Sequence, residues 1–343
     1  MPADRRSTGD PETCTSGSWD GPTPDVAVHV PTYGRSGFLA TLVERLEAQT
    51  LADERFEVVV VDNGSTDDTW SCLTGLVRRT PLRMAAVRLP ANRGPAGARN
   101  VAVATSRAPV LAFTDDDCLP EPGWLAALLE PFAHADLVQG RTEPDHAATG
   151  AWDRTIRIVG PTPLFETCNI AYRRRDLLSV GGFDEASTVA AGPGRRAFGE
   201  DVLLGAAVVG RGARRAFAAE AVVRHRYLPA TYLDHVREMR NLAGFPALAR
   251  VAPPLADARW GGVFLTRRTA AFDLAAVAVG AAAALRRPLL ALGAAPWVLE
   301  TWPLARERGG RSPLVRLAQL GIADAVGAAA LVRGSVRHHR AVL

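Results

Sequence analysis

Three acids in a row, Asp115-Asp116-Asp117, follow the apolar run Val110–Phe113 and Thr114. Adjacent carboxylates repel one another, so such a cluster at the end of an apolar run calls for a cation. Oxygen donors of this kind suit a hard divalent metal that shares a substrate phosphate. The competing reading is a group of capping acids for a helix that starts near Pro122. A second polar turn, Asp62-Asn63-Gly64-Ser65-Thr66-Asp67, follows the run Val58–Val61. Asp62 can accept a hydrogen bond from a base N–H or a ribose hydroxyl, and Asp67 suits the cap of the next helix. The segment Asn92-Arg93-Gly94-Pro95-Ala96-Gly97-Ala98-Arg99-Asn100 enters a helix through glycine. It lacks the Gly-Lys-Ser/Thr of a P-loop. Arg93 and Arg99 at a helix N-terminus can still face an anion, although a solvated surface accounts for them as simply. Glu200-Asp201 opens a further helix, where acids complement the helix dipole or, in a cleft, serve as a general base. His225 ends a strand and gains chemical interest if the fold brings it to the acids at 115–117.

These residues need elements to position them. Short apolar runs at 26–30, 58–61, 82–89 and 109–117 alternate with helical patterns at 38–50, 68–79 and 95–106. That alternation predicts βαβ units and a mostly parallel sheet, in which ligands bind beyond the carboxyl ends of the strands. The polar residues after each run, Pro31 to Arg35, Asp62 to Asp67 and Asp115 to Asp117, then share one edge. Further strands are expected at 136–144, 165–174 and 219–228, with a short helix at 175–185. A flexible glycine loop at 192–199 would open the helix near Glu200 and close over ligands as a lid. No repeat of fixed period is present.

Together the motifs resemble the family-2 glycosyltransferases, over roughly residues 26–228. The matching pieces are Pro31-Thr32-Tyr33-Gly34-Arg35, Val61–Asp67, Ala98-Arg99-Asn100 and Phe113–Asp117, then Asn169-Ile170-Ala171, Gly181–Glu185 and Gly199-Glu200-Asp201. Each is short; their order and spacing are specific. The resemblance implies an α/β GT-A fold, a Rossmann-like and mostly parallel central sheet flanked by helices. It implies an inverting, metal-dependent hexosyltransferase that takes a UDP-, GDP- or dTDP-linked sugar and a hydroxyl acceptor, with Mn2+ or Mg2+ as cofactor. Pro31, Thr32, Tyr33, Arg35, Asp62, Asn63, Arg93, Arg99, Asp115 and Asp116 fall at the donor nucleotide. Asp115 and Asp117 fall at the metal as a DxD motif, with His225 as a late addition to its shell. The third acid leaves the register of that motif open by one residue. Asp201, with Glu200 beside it, falls at the base that deprotonates the acceptor. A polyprenyl-phosphate sugar synthase is the alternative enzyme, and a nucleotide-binding scaffold the alternative without catalysis.

The chain has 343 residues, enough for one large domain or two, and a formal charge of +4. All 40 basic residues are arginine, and a GC-rich genome accounts for that bias. Four dispersed cysteines, Cys14, Cys72, Cys118 and Cys168, read as free thiols of a reducing compartment. Residues 1–24 have no apolar core and are rich in Pro, Gly, Ser, Thr and Asp, so they read as a disordered lead rather than a secretory signal. The catalytic domain is expected over 25–229 and a helical region over 230–343. Residues 1–229 hold 25 Arg against 29 acids, and residues 230–343 hold 15 Arg against 7. With no basic-aromatic stripe, the catalytic part is not expected to bind nucleic acid. The basic tail carries two apolar stretches, 269–285 and 288–304, and a third at 313–332. The first two suggest a hairpin in or on a membrane, flanked by Arg267, Arg268, Arg306, Arg308 and Arg311. The expected location is the cytoplasmic face of the plasma membrane, with soluble packing helices as the competing reading.

Overall fold

Val58 to Val61 are fully buried, as expected of a parallel strand covered on both faces. They belong to an interior strand of a nine-stranded sheet. The structure, a computed structural model, describes residues 10–146, 150–185, 199–307 and 312–343. The strands are β1 (Glu12–Thr15), β2 (Val26–Thr32), β3 (Phe56–Asp62), β4 (Met84–Arg88), β5 (Val110–Phe113), β6 (Cys118–Pro120), β7 (Leu137–Pro144), β8 (Ile170–Arg173) and β9 (Arg215–His225). They lie in the order β1-β4-β3-β2-β5-β8-β7-β9-β6. The run β4-β3-β2-β5 is parallel. β8 pairs antiparallel with both β5 and β7, and β6 and β1 add antiparallel edges. The sheet is therefore mixed, with its parallel part where the βαβ pattern predicts it.

Helices α1 (Ser36–Glu47), α2 (Thr69–Val77) and α3 (Gly94–Thr105) make the crossovers. α1 buries Leu39, Leu42, Val43 and Leu46, the spacing of a single helical stripe. α3 begins with Pro95 in its first turn, a position where a missing N–H costs nothing. The remaining helices of this unit are α4 (Trp124–Leu129), α5 (Arg174–Ser179) and α6 (Glu200–Gly210).

Three expectations change. β2 runs on through Pro31 and Thr32 rather than breaking there. The segment 10–24, expected to be disordered, contains β1, which pairs with β4 from Glu12↔Arg88 to Thr15↔Ala85. Its Ser16 hydroxyl donates to the Leu82 carbonyl at 2.8 Å. Composition missed it because one short strand lies within a Pro/Gly-rich stretch. The strand expected over 165–174 is confined to β8, since Phe165 adopts φ 53, a left-handed conformation that ends an extended run. The glycine stretch expected to act as a lid lies within 186–198, outside the described residues apart from Gly199.

Asn169 ties the antiparallel half together. Trp124 Nε1 donates to its Oδ1 at 2.9 Å, and its Nδ2 donates to the carbonyls of Arg141 at 2.8 Å and Ala221 at 2.9 Å. Gly140 leaves the room, because a Cβ there would lie 2.4 Å from Asn169 Oδ1. Asn169 is fully buried. Asn169→Ala strands all three partners, and is expected to cost about 3 kcal/mol or more. A urea midpoint that falls at unchanged slope is the check. β9 is irregular beside it: the β7 register advances from Gly140↔Ala218 to Arg141↔Val222, so Ala219, Glu220 and Ala221 bulge out.

Contacts divide the chain in two, the first unit being Met1–Asp145, Thr155–Ser187 and Glu200–Arg226. The second unit carries α7 (Tyr232–Met239), α8 (Phe245–Val251), α9 (Pro253–Asp257), α10 (Arg267–Ala284), α11 (Ala295–Glu307) and α12 (Pro313–His338). Of the described helices, only α12 is long and apolar enough to cross a membrane. The expected pair at 269–285 and 288–304 does not form two such spans. α10 has 18 residues, and the second stretch divides into a 3₁₀ turn, Pro288–Ala294, and α11, which contains Pro303. α12 turns Leu320, Ala323, Ala330 and Leu331 inward. Its Asp324 receives Arg268 at 2.8 Å and Trp297 Nε1 at 2.8 Å.

Candidate active site

β2, β3 and β5 end side by side, and their last residues and following turns converge. Thr32 is the register partner of Asp62, and its hydroxyl donates to Asp116 Oδ2 at 2.7 Å. One nitrogen of Arg35 donates to Asp116 Oδ1 at 2.7 Å and to Asp117 Oδ2 at 2.8 Å. Asp116 is nearly buried. Burial pushes its carboxyl up to about 6 against the opposing charge of Arg35.

Arg99 reaches the same cluster from α3. It donates to Asp115 Oδ1 at 3.0 Å and to Glu200 Oε1 at 3.0 Å, with its guanidinium over the Phe183 ring. Its side chain is only 6% exposed, so this arginine bridges two acids from different elements and is not a solvated surface residue. Arg93 forms a two-pronged pair with Glu185. Asn63 donates to Asn92 Oδ1 at 3.2 Å and the Gly94 carbonyl at 3.0 Å, and accepts from the Arg93 amide at 2.8 Å. Asn63 thus pins the entry to α3. The close packing there requires Gly64, at φ +79, whose Cβ would lie 2.8 Å from the Ala91 carbonyl carbon. Asp62 accepts from the Ser65 amide at 2.9 Å through Oδ1. Its buried Oδ2 has no hydrogen bond and lies 3.8 Å from Arg88 Nε. Tyr33 stands 43% exposed just beyond Thr32.

His225 joins the cluster through sheet register. β6 and β9 pair Cys118 with His225, which brings His225 Nε2 to 3.6 Å from Asp117 Oδ1. Its Nδ1 lies 2.8 Å from the Arg226 carbonyl. A carbonyl only accepts, so Nδ1 donates to it, and Nε2 is the ring nitrogen turned toward Asp117. An outer hydrogen bond of this kind fixes a histidine as a metal ligand. Donor atoms of Asp117, Cys118 and His225 lie within 4.8 Å of one another. Burial raises the Cys118 thiol well above its ordinary value, which keeps it protonated and a poor ligand. Carboxylate oxygen and imidazole nitrogen remain as donors suited to a divalent cation.

Asp201 sits in the first turn of α6 and accepts from the Val202 amide at 2.9 Å. Burial, with help from the charge of Glu200, raises its carboxyl to about 7, against the pull of Arg99. Such a carboxylate can accept a proton near neutral pH. The N-terminal strand supplies residues that composition concealed. Asp10 and Glu12 join Gly64, Ser65, Thr66 and Arg88 around a cleft of about 510 Å³ beside the Asp62 turn. The β-branched Thr13 and Thr15 are the local signal for the strand, too short to stand out.

A mixed sheet with acids gathered at the ends of its parallel strands defines a GT-A glycosyltransferase fold. Residues 27–188 match the sequence pattern of glycosyl transferase family 2. The chain carries a family-2 glycosyltransferase domain. It is similar to the succinoglycan biosynthesis protein ExoU of Rhizobium meliloti, with 44% identity over 125 residues, covering 36% of each chain. It is also similar to validoxylamine A glucosyltransferase of Streptomyces hygroscopicus subsp. limoneus, with 30% identity over 221 residues, covering 53% of this chain and 47% of the relative. The matched segments thus span less than half the length of these relatives. Among solved structures, a mannosyltransferase from Pyrobaculum calidifontis, in complex with GDP-Man and Mn2+, shares the fold at 21% identity and TM-score 0.57, covering 92% of this chain and 87% of that one.

Proposed function

We propose that the protein is an inverting glycosyltransferase that moves a sugar from a nucleoside-diphosphate donor to a hydroxyl acceptor. The observation that carries this reading is that Arg99 joins Asp115 to Glu200, the neighbour of Asp201, while sheet register sets His225 against Asp117. The structure of the Pyrobaculum calidifontis mannosyltransferase, with GDP-Man and Mn2+, supports a sugar-nucleotide donor and a divalent cation.

Asp115, Asp117 and His225 would hold the cation, and Asp116 keeps Thr32 and Arg35 in place behind them. When bound, the cation neutralises charge that develops on the departing diphosphate. Asp62 and Tyr33 receive the nucleoside at the strand ends. Asn63 and Arg93 organise the walls of that site. Asp201 takes the proton of the acceptor hydroxyl as its oxygen attacks the anomeric carbon opposite the leaving group. The C1–O bond to the acceptor forms as the C1–O bond to the diphosphate breaks, which inverts the centre. The acceptor is a glycan, a lipid-linked saccharide or another component of the cell envelope, and the enzyme works at the cytoplasmic face of the plasma membrane. The basic balance and exposed leucines of the helical region support this location.

A thermal-melt panel tests the donor class. UDP, GDP and dTDP are each added with and without Mn2+. One nucleotide with Mn2+ is expected to raise the melting temperature well beyond either component alone, because ligand binding stabilises only the folded state. No nucleotide responding with metal, at millimolar concentration, removes the donor reading.

A further inference from the structure

We propose that the turn joining α10 to α11, residues Leu285–Leu292, is a surface anchor that seats on an anionic lipid leaflet, with its leucines entering the acyl boundary and Arg286 and Arg287 meeting the headgroup phosphates. The proposal rests on the membrane location above and specifies the element that makes the contact.

Every residue from Ala283 to Leu292 is exposed. Leu285 is 63% exposed, Leu289 77% and Leu292 70%. Large apolar side chains gathered at one turn are unusual on a surface that meets only water. The turn is fixed in shape: Arg286 takes φ +53, and Pro288 opens the 3₁₀ turn to Ala294. From Leu274 to Leu299 the chain has no acid and two arginines, Arg286 and Arg287. Neither guanidinium has a carboxylate partner among the described residues. Leucine tips interleaved with uncompensated arginine match the layered chemistry of an anionic leaflet, apolar below and phosphate above. A second copy docked by two-fold symmetry would set arginines against arginines, which disfavours a dimer through this turn.

The anchor lies on the surface and does not span. α12 has the composition of a spanning helix, but Ala323 and Leu331 are fully buried within its own unit and its Asp324 is tied to Arg268 and Trp297. Extracting it into lipid would break those contacts, whereas the side chains of Leu285, Leu289 and Leu292 are already exposed.

The test uses the full chain, sedimented with vesicles of phosphatidylcholine alone or of a three-to-one mixture with phosphatidylglycerol. The protein is expected to pellet with the mixed vesicles, less so at high salt. Leu289→Glu with Leu292→Glu, and separately Arg286→Glu with Arg287→Glu, are expected to reduce binding by roughly tenfold or more. All four positions are exposed, so melting temperatures should hold, and sedimentation velocity reports oligomeric state. Wild-type binding that both double variants retain would overturn the anchor and leave the membrane location standing. Protein that stays in the supernatant with both vesicle types would overturn both. A wild-type dimer that the leucine pair converts to monomer would assign the turn to a second copy instead. None of these results touches the donor-binding melts, which read the other unit.

Discussion

Asp201→Asn is expected to lower transfer to a hydroxyl acceptor by about 10²–10⁴-fold, the range that a positioned general base supplies. The loss should fall on kcat, with donor affinity preserved, because Asp201 faces the acceptor proton in this reading. The wild-type rate should rise with pH and level off above about 7, where the Asp201 carboxyl loses its proton. The variant should lack that limb. Stability moves the other way. A folded-state pKa raised from 3.8 favours the protonated carboxyl, so its contribution is fully present below the unfolded value and is lost as pH rises through about 7. An amide carries no charge to bury, and Asp201→Asn is therefore expected to melt no lower than wild type at pH 8. Initial-rate kinetics and melts across pH check both signs. A loss of only a few-fold would favour the polyprenyl-phosphate acceptor, whose oxygen is already ionised.

Asp117→Asn is expected to abolish the Mn2+-dependent rise in melting temperature with nucleotide and to slow transfer roughly 10³-fold, a typical loss when charge stabilisation of the leaving group is removed. Asp117 shares Arg35 with Asp116 and lies 3.6 Å from His225 Nε2. Asp116→Asn is the matched control. Asp116 is held by Thr32 and Arg35, so its replacement should lower stability while preserving the Mn2+ response. If the two variants behave in the reverse way, the metal register shifts by one residue and Asp116 is the ligand.

Much of the site follows from local pattern. Val58 to Val61, and the polar turns that follow β2, β3 and β5, mark a ligand edge because strand, turn and helix signals are short-range. What local pattern alone could not decide depended on pairing between distant segments. His225 becomes relevant only when β6 and β9 set Cys118 opposite it. Arg99, at the start of a helix, looks solvated until Asp115 and Glu200 close around it. β1 is too short to stand out from its Pro/Gly-rich surroundings, and its partner β4 lies about seventy residues away. The apolar tail misleads for a different reason. Hydropathy measures composition, and α12 earns its score partly from small residues that face its neighbours, whereas the exposed leucines collect in a turn that no spanning pattern would select.

The three residues bulged from β9, Ala219 to Ala221, make the proposed metal site a matter of parity. Side chains alternate across a strand, and an odd insertion exchanges the faces of everything that follows it. Restoring regular pairing from Gly140↔Ala218 would turn His225 to the opposite face and carry it beyond the end of β7. If the bulge keeps three residues, deleting one slides the following chain and reverses the face of His225; deleting two keeps the face but displaces it by about 6–7 Å along the strand. Segments of this kind tolerate substitution by small residues far better than any change in length, so lineages that keep the histidine should also keep the count.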